Sequence, residues 1–147
     1  MDEHPNVTIV RELYAAFSRG DVETIRGYLA DDAVWHAAGR NWIVGDYHGR
    51  DAVVGLLTAM AVYAEGSYSV EVRDVLGNDR RAIGLHRSSA RRADGRSLDV
   101  DDVLIFDISD GKVIEVWASP YDQYEEDAFY GPEAPAGLMP PARVSAE

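Results

Sequence analysis

The chain has 147 residues, no cysteine and a net charge of −12. That length suits one domain with a substantial core. The missing cysteines remove disulfide, zinc–thiolate, iron–sulfur and cysteine-nucleophile chemistry, and the acidic balance argues against nucleic acid or an anionic membrane surface as a partner.

The first ten residues, MDEHPNVTIV, are acidic and lack a long apolar run, so no signal peptide is expected. No stretch approaches the ~18 apolar residues of a membrane span, and a cytoplasmic protein is the default expectation. From Pro5 to Arg19, Val7, Val10, Leu13, Tyr14 and Phe17 recur at helical spacing. Gly20 ends that helix, and Asp21 is a plausible N-cap for a short second one through Leu29. DDAVWHAA then turns extended. Residues 39–49 read as a loop punctuated by three glycines and carrying Trp42 and Tyr47. A third helix is expected from about Asp51 to Ala64.

After Gly66 the period changes to 2. YSVEVRDVLG, RAIGLHRSSA, RSLDVDDVLIFDI and KVIEVWASPYD read as four strands in a meander. Asp94-Gly95 turns the second strand into the third, and the three arginines of RRADGR sit on that solvated hairpin tip. Four of the six prolines (132, 135, 140 and 141) lie between Gln123 and Glu147. That stretch is expected to hold a short helix near Tyr124–Phe129 and then a mobile tail. The domain is therefore expected over 1–125, with a proline-rich tail over 126–147. Three helices followed by a meander is an α+β order. The simplest packing bends the antiparallel sheet around the N-terminal helices into a cone with a pocket inside.

One residue breaks the pattern. In LDVDDVLIF, Leu98, Val100, Asp102, Leu104 and Phe106 share a face, so Asp102 stands alone in an apolar register. A three-residue turn, Ala93-Asp94-Gly95, sets His86 opposite Asp102; a two-residue turn sets Arg87 there instead. His86 with Asp102 is a base and its orienter, with one ring nitrogen held and the other free for substrate. Arg87 with Asp102 is a structural ion pair.

The segments LYAAFSRGDVETIRGYLADDAVWH, YHGRDAVVGLL and ISDGKVIEVW…YDQY resemble the SnoaL-like polyketide cyclases of the nuclear-transport-factor-2-like and ketosteroid isomerase superfamily. The resemblance covers roughly Val7 to Tyr124. It implies the cystatin-like α+β cone and a deep apolar pocket, in isomerases, cyclases, epoxide hydrolases and binding proteins alike. It also implies where catalytic groups stand, and this chain departs from that pattern. The proton-shuttling Asp of the isomerases falls at Ala37, their acidic oxyanion donor at Leu104, and their tyrosine at Leu13 with Tyr14 one step round. The catalytic Asp of the cyclases falls at Ala118. If Leu104 faces the pocket, so does Asp102, and the alignment turns His86 inward with Ser88 beside it.

The site expected is thus Asp102 and His86 as catalytic groups. Trp35, Ala37, Leu104, Ala118, Ser88, Tyr14, Trp42 and Tyr121 contact the substrate, and no metal or other cofactor takes part. His36 is expected to face away from the pocket, beside Trp117 on the sheet's other face, where a homodimer is expected. The ligand is a small hydrophobic molecule. Two functions stand: a cofactor-independent acid–base enzyme of isomerase, cyclase or hydratase/hydrolase type, or a non-catalytic binding protein for the same kind of ligand.

Overall fold

A computed structural model describes residues 3–138. Helices α1 (Pro5–Ser18) and α2 (Val22–Tyr28) lead into strand β1 (Leu29–Ala37) and a short β2 (Gly45–His48). Helix α3 (Arg50–Tyr63) precedes the meander β3 (Ser69–Gly77), β4 (Arg81–Arg91), β5 (Ser97–Ser109) and β6 (Lys112–Pro120). Helix α4 (Gln123–Tyr130) follows.

Local chemistry sets the helix starts. Pro5 opens α1, where a missing N–H costs nothing. The Asp21 carboxylate accepts from the Thr24 N–H at 3.1 Å and caps α2 as expected. Asp122 does the same for α4, accepting from the Glu125 N–H.

The six strands form one open sheet in the order β2-β1-β6-β5-β4-β3. Neighbours are antiparallel except β1 and β6, which run parallel. The sheet is therefore mixed, where an antiparallel one was expected. The chain returns to the free side of β1 only with the fourth meander strand, and that strand's direction matches β1. The glycine-rich stretch is also not all loop. Its last residues pair with β1 as β2, which buries Tyr47 completely.

Helix α1 packs on β3 and β4, α3 on β1 and β2, and α4 on β5 and β6. Together the helices fill the concave face of the sheet, giving the expected α+β cone. The apolar residues of the odd and even registers sort accordingly: Leu98, Val100, Leu104 and Phe106 are buried, while Asp99 and Asp101 are exposed.

The expected boundary at 125/126 falls inside α4. Phe129 and Tyr130 are almost wholly buried and join Trp42 and Tyr63 in an aromatic cluster with ring centroids 5.0–6.1 Å apart. The Tyr63 hydroxyl donates to the Phe129 carbonyl at 2.6 Å, and the Trp42 N–H to the Gly131 carbonyl at 3.0 Å. Residues 126–130 thus belong to the domain. The mobile tail expected beyond them falls largely on residues 139–147, which lie outside the described residues.

Candidate functional site

A cavity of about 100 Å³ lies between the helices and the concave face of the sheet. Most of its wall is apolar, with Phe17, Leu29, Trp35, Leu56 and Phe106 among the lining side chains. Two rows across the sheet organise it. The first runs Gly84–Leu104–Ala118–Ala37 through consecutive register pairs. The positions where the resemblance placed catalytic groups are thus cavity wall, and all three are apolar. The second row lies two residues along each strand, a step of about 7 Å. It runs His86–Asp102–Pro120. The polar residues expected at His86 and Asp102 thus sit one row over from the positions where the resemblance places catalytic groups.

The opposition of His86 and Asp102 follows from the turn. Gly95 takes the left-handed conformation at φ 95°, the Arg92 N–H donates to the Arg96 carbonyl at 2.8 Å, and the register settles with His86 against Asp102. Arg87 points to the outer face, where it pairs with Asp99 at 2.7 Å and Asp101 at 3.2 Å.

The expected dyad, however, is not direct. His86 Nε2 lies 3.6 Å from Asp102 Oδ2, beyond a hydrogen bond. The Ser88 hydroxyl stands between them, 3.1 Å from Nε2 and 3.4 Å from Oδ2. Nor is the other ring nitrogen free for substrate, because Nδ1 is 2.8 Å from the Tyr14 hydroxyl. Burial, with the negative charge of Asp102 nearby, holds the Tyr14 phenol well above its ordinary range, so it keeps its proton. The network then runs one way. Tyr14 O–H donates to Nδ1, Nε2–H to Ser88 Oγ, and Ser88 O–H to Asp102. Tyr68 also donates to Ser88, at 3.2 Å, and burial likewise raises its phenol. In this direction Nδ1 accepts from Tyr14 and Nε2–H donates to Ser88. His86 thus lines the cavity with both ring nitrogens engaged, and it supports the carboxylate through Ser88.

Tyr14 reaches His86 because Gly84 has no side chain. A Cβ at Gly84 would fall 2.8 and 2.9 Å from ring atoms of Tyr14. A Gly84→Ala protein is expected to lose about 1–3 kcal/mol of stability, since the strand is fixed by neighbours on both sides and Tyr14 can yield only by leaving His86. Denaturant unfolding checks the first effect. The His86 imidazole resonances, shifted by loss of the Tyr14 bond, check the second.

Of the other expected contacts, Trp35, Ala37, Leu104, Ala118 and Tyr14 line the cavity. Ser88 is fully buried behind the wall and acts through Asp102. Trp42 belongs to the aromatic cluster that ties α4 down, so it does not touch the cavity. Tyr121 is 89% exposed: β6 ends at Pro120, and the chain turns outward there to begin α4. His36 lies on the outer face as expected, half-buried, between Asp46 at 2.7 Å and Glu115 at 2.5 Å and stacked on Trp117. Burial pushes the His36 imidazole down, but the two carboxylates outweigh it and leave it above its ordinary value.

Two polar residues of the wall, Tyr68 and Glu126, were not anticipated. Glu126 is half-buried on α4. Burial, reinforced by the Asp102 charge, pushes its carboxyl up to about 8 from an ordinary 4.5. A signal for it existed. Glu126 precedes the buried Phe129 and Tyr130 by three and four residues, which puts it on the inward side of the helix.

Residues 10–116 match the SnoaL-like domain family. An uncharacterized protein of Mycobacterium tuberculosis is 32% identical over 124 residues, a match covering 82% of this chain and 94% of that one. Among solved structures, Bal32a from a soil-derived mobile gene cassette is 35% identical with a TM-score of 0.83, over 86% of this chain and 97% of its own. A protein of unknown function with a cystatin-like fold from Xanthomonas campestris is 27% identical with a TM-score of 0.79, over 85% and 97%. TerC co-crystallized with polyporic acid shares the fold at 18% identity and a TM-score of 0.75, over 86% and 98%.

Proposed function

The chain belongs to the SnoaL-like domain family, and from that premise we propose that its pocket performs cofactor-independent acid–base chemistry on a small, largely apolar molecule. The observation that carries this reading is a pair of unlike carboxyl groups on one apolar cavity. Asp102 accepts the end of a hydrogen-bond relay, an arrangement suited to the ionised form. Glu126 holds its proton to about pH 8. A carboxyl held protonated by burial, facing the same cavity as a carboxyl that ends a hydrogen-bond relay, supplies an acid beside a base.

The step that fits is proton transfer next to a carbonyl. Asp102 takes the proton from the carbon beside the carbonyl, the C–H electron pair becomes the enol double bond, and Glu126 gives its proton to the carbonyl oxygen. Where the enol is conjugated with a further double bond, return of the proton from Asp102 to the far end of that system, with the enol oxygen giving its proton back to Glu126, isomerises the substrate. Attack by the enol carbon on a second carbonyl within the molecule closes a ring: the new alkoxide takes the proton held by Asp102, and the first oxygen returns its proton to Glu126 as its carbonyl re-forms. Each carboxyl recovers its starting state once both protons have gone back.

The test uses 2-tetralone in D₂O, with deuterium incorporation beside the carbonyl followed by NMR. Acid–base catalysis by this pair is expected to raise the exchange rate about 10²–10⁴-fold over buffer. Exchange at the buffer rate, for tetralone and for a panel of other ring ketones, would overturn the reading. The apolar residues at Ala37, Leu104 and Ala118 would then favour the second one, a binding protein whose Asp102 only orients its ligand.

A further inference from the structure

The cavity holds a carboxyl group whose one oxygen is met by the relay while the other is open. Asp102 is 9% exposed, and its Oδ2 has only the Ser88 hydroxyl, with His86 Nε2 beyond. No donor among the described residues reaches its Oδ1. Among the described residues that line the cavity, none is Lys or Arg. The arginines nearest in sequence are engaged elsewhere: Arg87 with Asp99 and Asp101 on the outer face, Arg92 and Arg96 on Tyr63. His86 Nε2 lies 3.6 Å from Oδ2 and reaches it through Ser88, so the ring engages that oxygen alone.

A buried carboxylate is stable when something pairs with it. Here Oδ1 has no partner among the described residues, and the rest of the cavity shows what kind of group could supply one. Tyr14, Phe17, Trp35, Tyr68 and Phe106 put aromatic rings on the wall, and aromatic rings attract an organic cation. A divalent metal ion needs several oxygen ligands gathered at one point, and among the described residues no three His, Asp or Glu side chains gather to hold one. The net charge of −12 draws cations toward the protein from a distance.

We propose that the pocket's ligand is a cation, a small apolar molecule whose protonated amine sits against the open oxygen of Asp102. This inference rests on the reading of the cavity as a small-molecule site, but not on that site being catalytic. It names a substrate class that the apolar wall alone would not select. An anionic ligand of the same shape would meet Asp102 as a like charge and is excluded.

Three ring compounds of one shape test it: 2-aminoindane, 2-indanol and indane-2-carboxylate, titrated into the full chain at pH 7 by ligand-observed NMR. The amine is expected to bind about tenfold more tightly than the alcohol, with the carboxylate weakest. In Asp102→Asn the tenfold gap between the amine and the alcohol should close. Carboxylate binding as tight as the amine's overturns the proposal, as does a failure of the amine to bind. These comparisons need only the wild-type protein. An amine preference that survives in Asp102→Asn also overturns it. Ketone exchange is read separately, so an amine preference without exchange would sink the catalytic reading and leave this one standing.

Discussion

Asp102→Asn is expected to abolish ketone exchange while leaving the fold as stable as before, or more so. The loss should reach the full catalytic contribution of a positioned base, about 10²–10⁴-fold. An amide keeps the shape of the carboxylate and can still accept from Ser88 Oγ, so the relay to His86 and Tyr14 has an end to hold. What disappears is the charge. Removing a buried charge that no cation offsets is neutral or stabilising. A site selected for packing would show the opposite combination, with stability lost and chemistry untouched. Thermal unfolding and exchange, measured on the same sample, separate the two. A variant that loses stability by several kcal/mol and keeps its exchange rate would place Asp102 in the scaffold.

The relay members supply a graded control on that result. Ser88 touches both Asp102 and His86, whereas Tyr14 touches only His86. A carboxylate fed by hydrogen bonds is oriented and kept ionised by them. The influence of each group should therefore decline with its distance along the chain of bonds. The imidazole's place in that order differs from the one that pairing alone suggested. Of the two turns that the sequence allows between β4 and β5, the three-residue Ala93-Asp94-Gly95 turn is the one adopted, and it puts His86 across from Asp102. What the neighbouring helix does to the ring's other nitrogen is not written there. It depends on Gly84 leaving room for Tyr14, a contact between residues 70 positions apart.

The same division holds across the molecule. Period-2 alternation marks the four meander strands and isolates Asp102, because burial on one face of a sheet is a local property of the chain. The parallel pairing of β1 with β6 is invisible to that pattern, since the two strands meet only through topology. Trp42 shows the limit for aromatics. A ring on a glycine-rich loop looks the same in sequence whether it lids a pocket or anchors a helix, and here its neighbours Tyr63 and Tyr130 come from α3 and α4. Tyr121 was lost for a simpler reason. Extending β6 past Pro120 would have kept it at the rim, but the strand ends at that proline.

Glu126→Gln is expected to remove a pH dependence that the wild type shows in both stability and rate. The folded carboxyl titrates near 8, against an ordinary 4.5. A group raised in this way binds more protons folded than unfolded between those values, so its stabilising share is complete below about 4.5 and is lost as the pH rises through about 8. The wild-type melting temperature should therefore decline across that window, and the glutamine variant's should decline less. A glutamine amide has no carboxyl proton to release, so the melting curve above pH 8 is where the two proteins should differ most. In the exchange assay Glu126 is the proton donor to the carbonyl oxygen, so the wild-type rate should fall once it ionises, giving an alkaline limb near 8. The variant should lose that limb along with most of its rate, because its amide can hydrogen-bond the oxygen but not protonate it. A variant that keeps the wild-type rate and the wild-type limb would show that the acid is another group, and the phenols of Tyr14 and Tyr68, both raised by burial on the same cavity, would be next to replace by phenylalanine.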